Sequence, residues 1–174
     1  MLQRTNVVAT MAMSRVIPLL AAALLGGCAA PKFAAGSSAD SVVQGMGAPS
    51  GEYRSPSGGR RLEYAGGAFG RRTVMFDFDT SDKLVGIEQA LTEANFDAIR
   101  AGMSAEEVQS RIGRPSTIWR VGLRNQDIWS YRYESLFCQW FTVGMGPEGK
   151  VVDTGYGIDP QCKNDYAFRP VGAK

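Results

Sequence analysis

The sequence predicts an α+β protein made of two tandem units, each with short helices followed by an antiparallel β-meander whose apolar face the helices cover. Residues 38–50, SADSVVQGMGAPS, match residues 104–116, SAEEVQSRIGRPS, at an offset of 66 positions. After a one-residue slip to an offset of 67, FDFDTSDKLV matches VGMGPEGKVV. A constant internal offset indicates a repeated structural unit. Because a lone meander must cover its apolar face, the helices of the same unit are expected to form the lid.

The repeated window carries the signals of a short helix. In the second copy, Ser104 and Glu107 have the spacing of a capping box, and Val108 and Ile112 form an apolar stripe. Gly113 then provides a helix stop. The first copy places Ser38, Val42, Met46, Gly47 and Pro49 at the matching positions. Before the second copy, TEANFDAIRAG predicts another helix, capped by Thr92, ended by Gly102, with Phe96 and Ile99 facing inwards.

The segments after each helix alternate as strands do. RTVMFDFD places Val74, Phe76 and Phe78 on one side, and LFCQWFTVGM places Phe137, Gln139, Phe141, Val143 and Met145 on one side. DTSD and GPEG supply turn residues, so each copy closes with a hairpin.

The N-terminus resembles a bacterial lipoprotein signal. Arg15 precedes VIPLLAAALLGGC, an apolar run too short to span a bilayer. Leu25-Gly26-Gly27-Cys28 resembles a lipobox, in which Cys28 carries the lipid, whereas the alternative is an ordinary signal peptide with an incidental cysteine. We expect a signal peptide at 1–28, a degenerate repeat at 29–90, a second repeat at 91–162 and a tail at 163–174. No Asp follows Cys28, which favours an outer-membrane anchor facing the periplasm.

Charge and residue types narrow the functional classes. Without Arg4 and Arg15, the 19 basic residues fall to 17, equal to the 17 acidic residues, so a nucleic-acid partner is not expected. The chain has no His, and neither a catalytic constellation nor a metal, cofactor or small-molecule substrate site is predicted. Cys138 and Cys162 form an even pair that an oxidising periplasm would join as a disulfide; two thiols are the alternative.

Aromatic and arginine side chains of the second unit are the candidate partner-binding residues. Trp129, Tyr131 and Tyr133 alternate along one strand, and core packing is one reading of them. The other reading is an exposed face that docks a partner protein, because interface anchors are enriched in aromatic residues and Arg. The candidates are Trp119, Arg120, Arg132 and Tyr133.

The run FDAIRAGMSAEEVQSRIGRPS, followed by IWSYRY and FTVGMGPEGKVV, resembles the SmpA/OmlA (BamE) outer-membrane lipoprotein family. The resemblance implies two helices packed on an antiparallel sheet and a non-enzymatic scaffold in outer-membrane assembly or maintenance. The partner it implies is an envelope protein, with the β-barrel assembly machinery as a candidate. The tandem arrangement is also similar to β-lactamase inhibitor proteins, where two halves share one concave sheet face. A hydrolase inhibitor is therefore the alternative function, with residues 51–61 and 120–127 as candidate inserting loops; direct phospholipid or peptidoglycan binding is a third.

Overall fold

The computed structural model describes residues 33–67 and 70–162. These residues form an α+β fold with two antiparallel four-stranded sheets and a few short helices. The first half contains α1 (Ala39–Met46), β1 (Gly51–Arg54), β2 (Arg60–Gly66), β3 (Arg72–Phe78) and β4 (Leu84–Gln89). The second half contains α2 (Glu93–Phe96), α3 (Ala105–Ile112), β5 (Thr117–Val121), a 3-10 turn (Gly122–Arg124), β6 (Gln126–Arg132), β7 (Gln139–Met145) and β8 (Val151–Ile158).

Each sheet is a meander, with strand order β1-β2-β3-β4 in sheet 1 and β5-β6-β7-β8 in sheet 2. In both halves the helix N-cap forms an isolated bridge with the last hairpin, Ser38 with Lys83 and Ser104 with Lys150. The backbone N–H groups of Ala39 and Ala105 donate to the turns of those hairpins, at Asp82 and Gly149. The predicted meanders and closing hairpins are therefore present in both halves.

The helices begin where the sequence predicts, because their caps are local. Ser104 and Glu107 form the predicted capping box, and Ser38 caps α1 without a reciprocal Glu. Thr92 caps α2, which is shorter than predicted and ends at Phe96. The N–H groups of Ala98 and Ile99 donate three residues back, so the chain continues in tighter turns rather than as an α-helix. Phe96 and Ile99 are nevertheless buried, as predicted.

Each half has its own buried apolar cluster. In the first half, Ala39 and Val42 of α1 pack with residues of sheet 1, which are Leu62, Phe76, Phe78 and Leu84. In the second half, Phe96, Val108 and Ile112 pack with residues of sheet 2 that include Tyr131, Phe141 and Val143. The rings of Phe96 and Phe141 stack with centroids 4.4 Å apart. Burial of these side chains stabilises short helices that would not persist alone.

Sheet 1 buries side chains on both faces, on the one that packs against α1 and on the opposite one. Glu63 and Met75 are fully buried there, and Thr73 is 2% exposed. Glu63 Oε2 accepts a 2.7 Å hydrogen bond from the Tyr53 hydroxyl, and Oε1 accepts a 3.2 Å bond from the backbone N–H of Arg114 in the second half. We call this contact region between the halves the junction. The second half therefore covers the part of this face around Glu63 and Thr73.

Cys138 and Cys162 are joined by a disulfide, with their Cα atoms 6.2 Å apart. Cys138 has φ +52°, which interrupts the extended backbone before β7. Phe137 consequently lies in the β6–β7 loop with 76% of its surface exposed, and the prediction that it shares a face with Phe141 is wrong. The helices of the described segments are all too short or too polar to cross a bilayer.

Two glycines at equivalent helix ends allow the contribution of the junction to stability to be measured. Gly47 and Gly113 have similar backbone angles, φ 84° with ψ −169° and φ 79° with ψ −169°. A Cβ added at Gly47 has nothing within 4 Å, whereas one at Gly113 would lie 3.0 Å from Glu63 Oε1 and 3.0 Å from Thr73 Cγ2. Both sites disfavour a side chain on backbone grounds, by about 1–3 kcal/mol. We expect Gly113→Ala to lower the free energy of unfolding by about 1–3 kcal/mol more than Gly47→Ala, because it also forces the halves apart.

Urea denaturation of the two full-length variants, followed by circular dichroism, measures this difference. Equal losses would show that α3 does not press on sheet 1 in solution.

Candidate functional site

The outer face of sheet 2, turned away from α2 and α3, is the open sheet face of the described structure. Strand register places Trp119, Ile128, Gly144 and Asp153 in one row across the four strands. Trp119 is 45% exposed, and its indole N–H donates a 3.1 Å hydrogen bond to Oγ of the fully buried Ser130. This bond holds a large aromatic ring in a defined position at the surface.

An open cavity of about 560 Å³ lies on this face. Its lining consists of Trp119, Val121, Arg124, Gln126, Ile128, Thr142, Asp153, Thr154 and Gly155. Gly144 lies under the cavity, and a Cβ there would overlap the Asp153 carboxylate, so the glycine lets that carboxylate extend over the sheet. We call this feature the sheet 2 cavity.

Strand β5 forms one edge of sheet 2 and is exposed over most of its length. Ile118 is 55% exposed beside Trp119, and Leu123 in the following turn is fully exposed. Arg120 forms a 2.9 Å ion pair with Asp127 and a hydrogen bond with Asn125, and its side chain is 59% exposed. Trp119 and Arg120, two of the four predicted partner-binding residues, therefore lie together on an accessible edge strand.

Arg132 and Tyr133, the other two predicted partner-binding residues, are held by contacts within the protein. Arg132 donates a 2.9 Å hydrogen bond from Nε to Asp159, whose side chain is 3% exposed, and its guanidinium lies 5.7 Å from the ring centroid of Trp140. Tyr133 is 5% exposed in the core of the second half, and burial raises the pKa of its hydroxyl. Tyr131, at 0% exposed, is likewise core. The core reading therefore applies to Tyr131 and Tyr133, and these rings are not accessible to a partner.

A polar cleft of about 260 Å³ lies at the junction, where sheet 1 meets α2 and α3. Arg61, 5% exposed, donates to Asp77 at 3.0 Å and to Glu88 at 2.8 Å. The amide of Asn95 in α2 donates to Glu88 at 2.6 Å. The ion pairs of Arg61 lie within the first half, and the Asn95–Glu88 hydrogen bond joins the halves at this cleft, while Nε of Arg61 has no hydrogen-bond partner among the described residues.

Sequence reasoning missed Gln126 and Asp153 as lining residues of the sheet 2 cavity. The alternation along β6 does place Ile128 and Ser130 opposite Trp129, and Gln126 follows from the same periodicity. The pairing of β7 with β8, which brings Asp153 over Gly144, has no local signal. Within the described segments, no three His, Cys, Asp or Glu side chains come together in a way that could hold a metal ion. Cys28 lies outside the described residues.

No protein-family model matches the chain, and no curated protein matches it. The comparison with solved structures found similarity to the crystal structure of a DUF4309 family protein (YjgB) from Bacillus subtilis subsp. subtilis str. 168. That similarity has 13% sequence identity and a TM-score of 0.29, and it covers 71% of this chain and 79% of that chain. At this level it supports no functional conclusion.

The pH dependence of stability tests the contacts that Glu88 makes at the junction. Burial alone raises the pKa of Glu88, but hydrogen bonds from Asn95 and Arg61 outweigh that effect and lower it below its ordinary value of 4.5. A carboxyl with a lowered pKa stabilises the fold above its unfolded-state pKa, and this contribution is lost as the pH falls through the folded-state value. We expect Glu88→Gln to destabilise the full-length protein at neutral pH by about 1 kcal/mol, given its partial exposure, and to flatten the loss of stability below pH 4.5.

Urea denaturation across this pH range gives the measurement, and Glu134→Gln is the control because Glu134 is exposed and has no hydrogen bond or ion pair with any described residue. A Glu88→Gln profile parallel to that of the unmodified protein would contradict the assignment.

Proposed function

We propose that this protein is a non-enzymatic lipoprotein, anchored in the outer membrane through Cys28 and facing the periplasm, that acts as a protein-interaction scaffold in outer-membrane assembly or maintenance. The observation that carries the scaffold role is the exposed edge strand β5 with Trp119 held in position upon it. The partner is an envelope protein, and the β-barrel assembly machinery is the candidate implied by the SmpA/OmlA resemblance.

The two halves are, in this proposal, tandem copies of one BamE-like unit. Three kinds of feature support this reading. Both halves have a Ser-capped helix of eight residues ended by a glycine with positive φ. Both follow that helix with a four-stranded antiparallel meander. Both join the N-cap to the closing hairpin through a bridge at matching sequence positions. A duplicated unit explains these coincidences, because the offset of 66 to 67 residues relates each pair.

The edge strand suits protein docking for a physical reason. An edge presents unpaired backbone N–H and C=O groups to which a partner strand can add. Ile118, Trp119 and Leu123 provide exposed apolar contacts beside that edge. Trp is among the residue types that contribute most to binding energy at interfaces, and a ring held by a buried hydroxyl loses little conformational freedom on docking.

A hydrolase inhibitor is the alternative, and one observation favours it. Leu123 is fully exposed at the tip of the β5–β6 hairpin, within residues 120–127, and such a tip fits an enzyme cleft. The shared concave face that the β-lactamase inhibitor resemblance implies gains no support from the inner face of sheet 1, because the second half covers that face around Glu63 and Thr73. The scaffold is therefore the better supported of the two.

Photocrosslinking in intact cells tests the docking edge. We place a benzoylphenylalanine at Ile118 or at Leu123, and expect an adduct with an outer-membrane assembly protein. Trp119→Ala in the same protein should reduce that adduct by at least about tenfold, because a hot-spot residue contributes 2 kcal/mol or more. Val85, 52% exposed on the edge strand of sheet 1, is the matched control position and should give no such adduct. Equal adducts from all three positions, or none from Ile118 and Leu123, would refute the docking role of β5.

The lipid anchor has its own test. We expect the full-length protein to incorporate a clickable palmitate analogue and to sediment with outer membranes, whereas Cys28→Ser should lose the label and its membrane association, because no other lipidation site is predicted. Labelling of the Cys28→Ser variant would contradict the lipobox assignment.

A further inference from the structure

We propose that the sheet 2 cavity is a carbohydrate-binding site that accepts pyranose sugars of a glycan. This site goes beyond the scaffold role, and among the functions predicted from the sequence only direct peptidoglycan binding involves a glycan. The first observation is the cavity itself, whose volume of about 560 Å³ falls within the range of ligand pockets, roughly 300–1,000 Å³. The second is a buried amide group that lacks a partner.

Gln126 points to a ligand because its side chain is not satisfied by the protein. The residue is 6% exposed, and its Oε1 has no hydrogen-bond donor among the described residues. A buried acceptor without a donor destabilises the protein, and such groups in folded proteins call for a water, an ion or a ligand. The residue lines the cavity, and a half-turn about its last torsion exchanges the buried oxygen with the amide NH₂, so either end of the carboxamide can be turned towards a ligand while the other takes the buried position.

The charged groups in the cavity are also free. Asp153 and Arg124 both line it, and neither forms an ion pair or hydrogen bond with another described residue. Asp153 can only accept hydrogen bonds and Arg124 can only donate them, whereas the Gln126 amide can do both. The site thus offers donors and acceptors around one exposed indole ring, that of Trp119.

This combination selects among ligand classes. Sugar hydroxyls both donate and accept, and the C–H face of a pyranose ring is a flat apolar surface that can cover an indole. A basic side chain would be attracted by Asp153 but repelled by Arg124, and a simple anion would be attracted by Arg124 but repelled by Asp153, so a charged ligand gains little net attraction from the site. A purely apolar ligand would leave the amide of Gln126 unpaired. A neutral polyhydroxyl ring meets all of these constraints.

Sugar titration of the full-length protein in detergent tests the site, followed by the indole and backbone N–H resonances in heteronuclear NMR spectra. The probes are N,N′-diacetylchitobiose for amino-sugar glycans and maltotriose for neutral glucans. We expect at least one to bind with a dissociation constant on the order of 1 mM and to shift the indole resonance of Trp119. The indole of Trp140, which packs near Arg132 and does not line the cavity, should not move. Binding of one probe only identifies the source of the glycan.

Two variants assign the binding to this cavity. Asp153→Asn removes an exposed carboxylate, and Gly144→Ala displaces it without removing it, so each should weaken sugar binding by about tenfold. Glu134→Gln should leave the affinity unchanged. Both cavity variants should retain the Ile118 crosslink, which separates failure of the sugar site from failure of the scaffold role.

Three results would overturn the proposal. The first is no shift of Trp119 with either sugar. The second is a shift with N-acetyl-arginine amide alone, which would assign the cavity to a basic side chain of a protein partner. The third is sugar binding unaffected by Asp153→Asn and Gly144→Ala.

Discussion

The buried carboxylate of Glu63 is the constraint on which the arrangement of the two halves depends. It is fully buried on sheet 1, and its hydrogen-bond donors are the Tyr53 hydroxyl from the same half and the backbone N–H of Arg114 from the other. Burial of an unpaired carboxylate is strongly unfavourable, so the second half can cover Glu63 only because these two donors satisfy the carboxylate. Burial raises the pKa of the Tyr53 hydroxyl, and the hydrogen bond to Glu63 raises it further, which keeps this donor protonated. The halves are therefore joined through a buried polar contact, although each has its own apolar cluster.

The two similar halves expose different surfaces, because the second half covers part of sheet 1. The polar face of sheet 1 contributes to the junction, where Arg61 lies between Asp77 and Glu88 beside a cleft of about 260 Å³. The outer face of sheet 2 keeps both the cavity and the exposed ring of Trp119, and Asp159 contacts it at Arg132. The first half thus contributes to the junction, and the second half supplies the open surface. Strand β5 and the cavity adjoin, so a protein partner and a glycan would contact neighbouring parts of one sheet.

Core packing decided which aromatic residues are accessible. Trp129, Tyr131 and Tyr133 alternate as predicted, but alternation shows only that they share a side and not which side faces the helices. The helices cover that side, so Tyr131 and Tyr133 are buried, while Trp119 lies on the opposite face one strand away. Phe137 illustrates a different limit. Its strand pattern continued through Cys138, but the positive φ of Cys138 beside the disulfide places Phe137 in a loop.

Local features of the fold were determined by the sequence itself. Helix starts at Ser38, Thr92 and Ser104, the glycine stops of α1 and α3, and the hairpin turns depend on contacts among residues only a few positions apart, so they can be read along the chain. The offset of 66 residues likewise predicted two meanders before any pairing was known. Only the tertiary structure decided that sheet 1 closes against α2 and α3, and that Gln126 and Asp153 meet at one cavity. These contacts join residues far apart in sequence, and strand register and face are set by packing between elements, which no local pattern encodes.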